Sequence, residues 1–158
     1  HAHVAVLLIL AAIVPGATAA SYFTLGDKTM TAKPCFVAGN AGYQLTANGT
    51  ARHIVRIDNA AAQPHLRMQL VSDPAAAEFV LVDESDASLT CECVPTIESI
   101  RIDATAAKPD LIVSVSREPA DYRVYLHSAS FDEQDAAALA AVIWQTASKT
   151  GSLRSVTR

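Results

Sequence analysis

Three cysteines, Cys35, Cys91 and Cys93, carry the most evident chemistry in this chain. In an oxidising compartment thiols pair, and a Cys35 bond to either Cys91 or Cys93 closes a loop of roughly sixty residues. Cys35–Cys93 is marginally the better expectation. A Cys91–Cys93 bond is strained by its short spacing. Alternate positions on an extended strand put both thiols of Cys91-Glu92-Cys93 on one face, without the loop of a C-x-x-C redox motif. No second cysteine pair or adjacent histidine completes a metal-ligand set, so no metal or cofactor is expected.

A second group is Tyr122, Arg123, Tyr125 and His127, within six consecutive residues. Aromatic rings that stack beside a guanidinium and an imidazole suit a ligand or a protein surface, which makes this a candidate binding strand. The plainer reading is the finish of an exposed strand. Two Arg-x-Asp pairs, Arg56/Asp58 and Arg101/Asp103, present paired charges at strand spacing. Brought together they would offer two carboxylates for acid–base work; apart, they are charges on a wet sheet face. Asp83-Glu84-Ser85-Asp86 lacks the spaced oxygens and glycine of a calcium loop and reads as a solvated turn. Asn48-Gly49-Thr50 fits a glycosylation acceptor but equally a turn. His53, His65 and His127 are scattered singly. His1 and His3 precede a hydrophobic run, which argues against an amino-terminal metal site there. No nucleophile elbow, phosphate loop, zinc-protease motif or dinucleotide fingerprint occurs, so no catalytic residue is assigned.

These side chains ride on a repeat. Val55–Asp83 and Ile100–Ser128 align at a 45-residue offset without a gap, and ten of the 29 positions are identical, including Arg56/Arg101, Asp58/Asp103, Pro64/Pro109 and Pro74/Pro119. Each copy contains three stretches with strand periodicity: Val55/Ile57, Leu66/Met68/Leu70 and Phe79/Leu81, matched by Ile100/Ile102, Leu111/Val113/Val115 and Val124/Leu126. Connections of six or seven residues are short for parallel crossovers, so each copy is expected as a three-stranded antiparallel meander. Ser130 and Glu133 have capping-box spacing, which places an amphipathic helix over Phe131–Lys149 with a stripe of Leu139, Val142, Ile143 and Ala147, stopped by Gly151. Ser21–Thr50 contains further short strand-like pieces, SYFTLG, PCFVAG and GYQLTANGT, between turn signals. The expected fold class is α+β, antiparallel sheet built from two tandem three-stranded repeats with a C-terminal helix. An all-β sandwich with an external helix is the alternative.

The distribution of charge sets the context. The chain has 158 residues, is 51% hydrophobic and carries a formal net charge of −4. Residues 1–20 contain no Asp, Glu, Lys or Arg. The run Val4–Val14, broken by Pro15-Gly16 and followed by Ala17-Thr18-Ala19, matches a cleavable signal peptide; counted with its alanines it also matches a single transmembrane anchor. Either way residues 21–158 are expected as one exported domain, periplasmic or otherwise extracytoplasmic. Acidic balance argues against nucleic acid as a partner. The expected function is a non-catalytic interaction module that contacts another protein, an accessory subunit of a membrane or envelope complex. A small periplasmic ligand-binding domain using Tyr122–His127 and a small exported enzyme are the alternatives.

Overall fold

The computed structural model describes residues 33–47, 49–83, 91, 92 and 94–155, with side chains as far as residue 149. The hydrophobic leader, SYFTLG, Asn48, Glu84 to Asp86 and Cys93 lie outside the described residues. Eight strands form one sheet: β1 Phe36–Ala38, β2 Ala41–Leu45, β3 His53–Ile57, β4 Leu66–Val71, β5 Phe79–Val82, β6 Thr96–Ile102, β7 Leu111–Ser116 and β8 Tyr122–His127. One helix, α1, follows at Glu133–Ser155. The class is α+β, with all described strands in a single sheet rather than a sandwich. PCFVAG and GYQLTANGT supply β1 and β2, joined by a two-residue turn in which Gly39 takes a φ of 63°, a conformation open to glycine at little cost.

The antiparallel meanders do not form. Across the sheet the order is β1-β2-β6-β3-β7-β4-β8-β5, and only β1–β2 is antiparallel. Every other neighbouring pair is parallel. Strands of the first repeated segment therefore alternate with strands of the second, and two threads, β2-β3-β4-β5 and β6-β7-β8, run side by side.

The register shows why short connections suffice. Ile100 is the partner of both Leu45 and His53. Val55 likewise partners Ile102 and Leu111. Val113 partners Ile57 and Leu66. Met68 partners Val115 and Tyr122, and Val124 partners Leu70 and Phe79. Each strand begins at the level where its predecessor in the same thread ended. The chain never travels back along a strand, which is the step that makes ordinary parallel crossovers long. It only steps sideways across one strand of the other thread. All five shared residues are at most 1% exposed, so the handover points are also core positions.

Laid flat, eight strands would set β1 about 34 Å from β5 at the normal strand spacing. Instead the Phe36 and Phe79 rings, from those two edge strands, have centroids 5.5 Å apart. The sheet therefore curls on itself. Helix α1 packs against β3, β6, β7 and β8 on the inner face. Seven successive residues, Ala136 to Val142, are fully buried. Seven residues make nearly two turns, so this part of the helix is covered all round rather than along one stripe. Five of the seven are alanines, small enough for close approach. The expected stripe is only half right: Leu139 and Val142 are buried, Ile143 is partly buried and Ala147 is exposed.

The cap also differs from expectation. Asp132 and Asp135 cap each other's backbone: the Asp135 N–H donates to Asp132 Oδ1 at 2.8 Å and the Asp132 N–H to Asp135 Oδ2 at 2.9 Å. Ser130 is occupied elsewhere. Its N–H donates to Asp83 and to the Ser128 hydroxyl, and its carbonyl accepts from Lys33 Nζ at 2.7 Å. Lys33 also pairs with the buried Asp135 at 3.1 Å. The helix continues through Gly151, since a glycine within a run of helical hydrogen bonds lowers stability without ending the helix.

Candidate functional site

The repeated Arg-x-Asp pairs serve the crossovers. Arg101 donates to the Gly49 carbonyl at 2.8 Å, in the β2–β3 connection. Arg56 donates to the Ala106 carbonyl at 3.0 Å, in the β6–β7 connection. Each arginine thus holds a connection of the other thread. Asp58 Oδ1 accepts from the Ala60 N–H, and Asp103 Oδ1 from the backbone N–H and hydroxyl of Thr105. These are Asx turns that start the sideways step. The Thr105 backbone and hydroxyl hydrogen bonds hold the Asp103 carboxyl below its usual range. Both carboxylates are engaged in turns, which supports the plain reading of these motifs.

A second recurring device sits at strand entries. His65, Asp110 and Glu78 immediately precede β4, β7 and β5. Their backbone N–H groups donate to the carbonyls of Ile112, Ile54 and Arg123. Their side chains accept the N–H of those same residues, at 2.9, 2.7 and 2.6 Å. An accepting Nδ1 places the proton of a neutral His65 on Nε2.

The disulfide joins Cys35 to Cys91, with a Cα–Cα distance of 5.3 Å, and not Cys35 to Cys93. It closes over Gly42: a Cβ there would stand 2.6 Å from Cys91 Sγ and 2.9 Å from its Cβ. At position 42 of β2 a side chain has no room beside Cys91 and Val94. The bond ties the start of β1 to the segment leading into β6, on either side of β2.

The four-residue candidate on β8 divides between two faces, as alternation requires. Tyr122 points inward with Val124 and Leu126 and packs against the core. Its phenol pKa is raised by burial and then by the nearby Glu78 charge. Arg123, Tyr125 and His127 point outward. Arg123 is held by Glu78, with Nε 3.1 and 3.2 Å from its two carboxylate oxygens and Nη2 closing a fork. Side-chain and backbone hydrogen bonds from Arg123 pull Glu78 down to about 2. Tyr125 lies between Val71 and Val80 in register, and His127 beside Val82. Val80 and Val82 are 44% and 54% exposed. Val37 of β1 and Ile97 of β6, at the other end of the sheet, are exposed to a similar degree, 52% and 50%. The outer end of β8–β5 is an apolar surface edged by an imidazole and a fixed Arg–Glu pair.

One constellation was not singled out from sequence. His53 donates from Nε2 to Glu98 Oε2 at 2.7 Å, and Arg52 Nε lies 3.3 Å from the same oxygen. Glu98 stands directly across from Tyr43 on the inner face. Burial, and then the Glu98 charge, raise the Tyr43 pKa. The signal was present in the offset: His53 and Glu98, like Glu78 and Arg123, are 45 residues apart. Interleaving sets equivalent strands side by side, so the repeat period itself marks neighbouring side chains. Among the described residues no cluster of three His, Cys, Asp or Glu side chains suits a metal ion, and no helix is long and apolar enough to cross a membrane. No protein-family model matches the chain, and the curated proteins contain no significant match to it.

Proposed function

We propose that this protein is an exported, non-catalytic interaction module, an accessory subunit of a membrane or envelope complex, that meets its partner through the outer end of β8–β5. The observation that carries the reading is the exposed pair Val80 and Val82 beside Tyr125 and His127. Apolar side chains gathered at one end of a sheet face, with an imidazole and a fixed ion pair at the border, have the make-up of a protein contact. The Cys35–Cys91 bond is consistent with an oxidising, extracytoplasmic setting. The two threads are read as copies of one ancestral unit, a view supported by the matched Arg-x-Asp turns.

The test is made in the native host. A photo-crosslinking residue at Val82 should give a discrete higher-mass product, while the same residue at Arg67, on the outer face of β4, should not. Thiols blocked before lysis should leave Cys35 and Cys91 unlabelled. Equal crosslinking at both positions would sink the surface, and labelled Cys35 and Cys91 would sink export.

A further inference from the structure

We propose that β1 is a strap closing the curled sheet against β5, and that the Cys35–Cys91 bond is a redox-sensitive catch on it. Hydrogen-bonded ladders run unbroken from β1 round to β5, but among the described residues no ladder joins those two ends. Where they meet, side chains make the closure, the Phe36 and Phe79 rings lying 5.5 Å apart. A joint without backbone hydrogen bonds can open while the ladders on either side of it stay formed. β1 is the lighter side of this joint. Its three residues pair with β2; Phe36 and Ala38 are half-buried and Val37 is exposed. β5, by contrast, gives the buried Phe79 and Leu81 to the core. The handover residues Val55, Met68, Ile100, Val113 and Val124 and the enclosed run Ala136 to Val142 belong to other elements.

Among the described residues two fastenings hold the start of β1. Lys33 donates to the Ser130 carbonyl and pairs with Asp135 at the start of α1. The lysine side chain is 31% exposed, and solvent and salt weaken a contact so placed. The other fastening is the disulfide, which passes over β2 at Gly42. Gly42 stands in one row with Val37 and Ile97, and a Cβ on it would meet Cys91 Sγ at 2.6 Å. The catch therefore lies on the outer face, between two exposed apolar side chains, and both its cysteines are partly exposed. A dithiol can reach it there. In two thiol–disulfide exchanges the S–S bond breaks and the dithiol is oxidised to its own disulfide. Its two electrons and two protons leave Cys35 and Cys91 as thiols. The loop of 56 positions that the bond had closed regains its freedom. β1 then swings out and parts Phe36 from Phe79, while the interleaved strands stay paired.

The experiment follows the full chain by NMR before and after excess dithiothreitol, which keeps Cys93 reduced as well, so that no alternative bond forms. Two signals report on the joint: the ring-to-ring NOEs between Phe36 and Phe79, and amide exchange across β1. On reduction the NOEs should vanish and exchange across Phe36–Ala38 should quicken about tenfold or more. The amides of Val113 and Val124 should keep their protection, and reoxidation should restore the NOEs. NOEs that persist in the reduced protein overturn the catch, because the strap then stays closed without the bond. Loss of protection at Val113 and Val124 along with the joint overturns the strap, because the bond then holds the whole fold.

Discussion

Glu78 connects the thread crossing to the candidate surface, and its protonation is a measurable handle on both. Its carboxylate accepts the Arg123 backbone N–H and the guanidinium, which lowers its pKa from 4.5 to about 2. A carboxyl depressed in the folded state adds stability above its unfolded pKa, and loses it as pH falls through the folded value. The contribution is therefore complete above about pH 4.5 and fades toward pH 2. Glu78→Gln should lower the urea midpoint at neutral pH and flatten the acid limb. Comparing midpoints near pH 6 and pH 3 checks this; an unchanged slope would count against the pairing. Some slope should remain. For Asp83, burial works upward, but hydrogen bonds from Ser128, Ser130 and Ala129 outweigh it, and Asp103 is lowered by Thr105. At this scale the sequence was legible where a motif acts locally, as Asp58 and Asp103 do in their turns. It was opaque where the partner depends on topology: Glu78 with Arg123 and His53 with Glu98 looked like unrelated residues until their strands became neighbours.

Elements were more legible than their arrangement. Alternating apolar residues marked the strands of both repeated segments, because period-two alternation is local. Short connections point to antiparallel pairing only where each strand starts level with the last; the staggered register removes that requirement and permits parallel pairing. The helix cap was misplaced for a related reason, since Asp83, Ser128 and Lys33 draw Ser130 into a different network. The choice of cysteine also depended on a neighbouring element, since Gly42 of β2 leaves the space that Cys91 fills. Gly42→Ala should therefore act through the bond. A Cβ 2.6 Å from Sγ forces a shift, and overpacking of this kind costs about 1–3 kcal/mol. In a Cys35→Ser/Cys91→Ser background the cost should shrink, because a hydroxyl is smaller and no bond holds it over β2. A double-mutant cycle by thermal unfolding measures that coupling. Equal losses in both backgrounds would place the crowding with Val94, 3.0 Å from the same Cβ, rather than with the disulfide.

For the whole molecule, interleaving makes each thread the scaffold of the other. Apart from the β1–β2 hairpin, no strand of β2-β3-β4-β5 is hydrogen-bonded to another of that thread, and the same holds within β6-β7-β8. Pairing β3 with β6 joins His53 to Ile100, and pairing β4 with β7 joins Leu66 to Val113. Such distant contacts carry the loop-closure cost before any ladder forms, so folding should fall in the slow, millisecond-to-second range of sheet proteins. The arrangement also sets what a fragment can do. A chain cut between residues 83 and 91 leaves one half with all the strands of thread one and the other with thread two and α1. Neither half holds a complete neighbour set for its interior strands, and the all-round burial of Ala136 to Val142 has no counterpart in the first half. Under reducing conditions each half alone should show no protected sheet amides by hydrogen exchange. Mixing them should restore protection at Val55, Val113 and Val124 together, since each is a handover residue with partners in two strands of the other thread. Cooperative unfolding of the strands in either isolated half would contradict the interleaved sheet. Protection regained at one handover residue but not the others would contradict the mutual dependence of its threads.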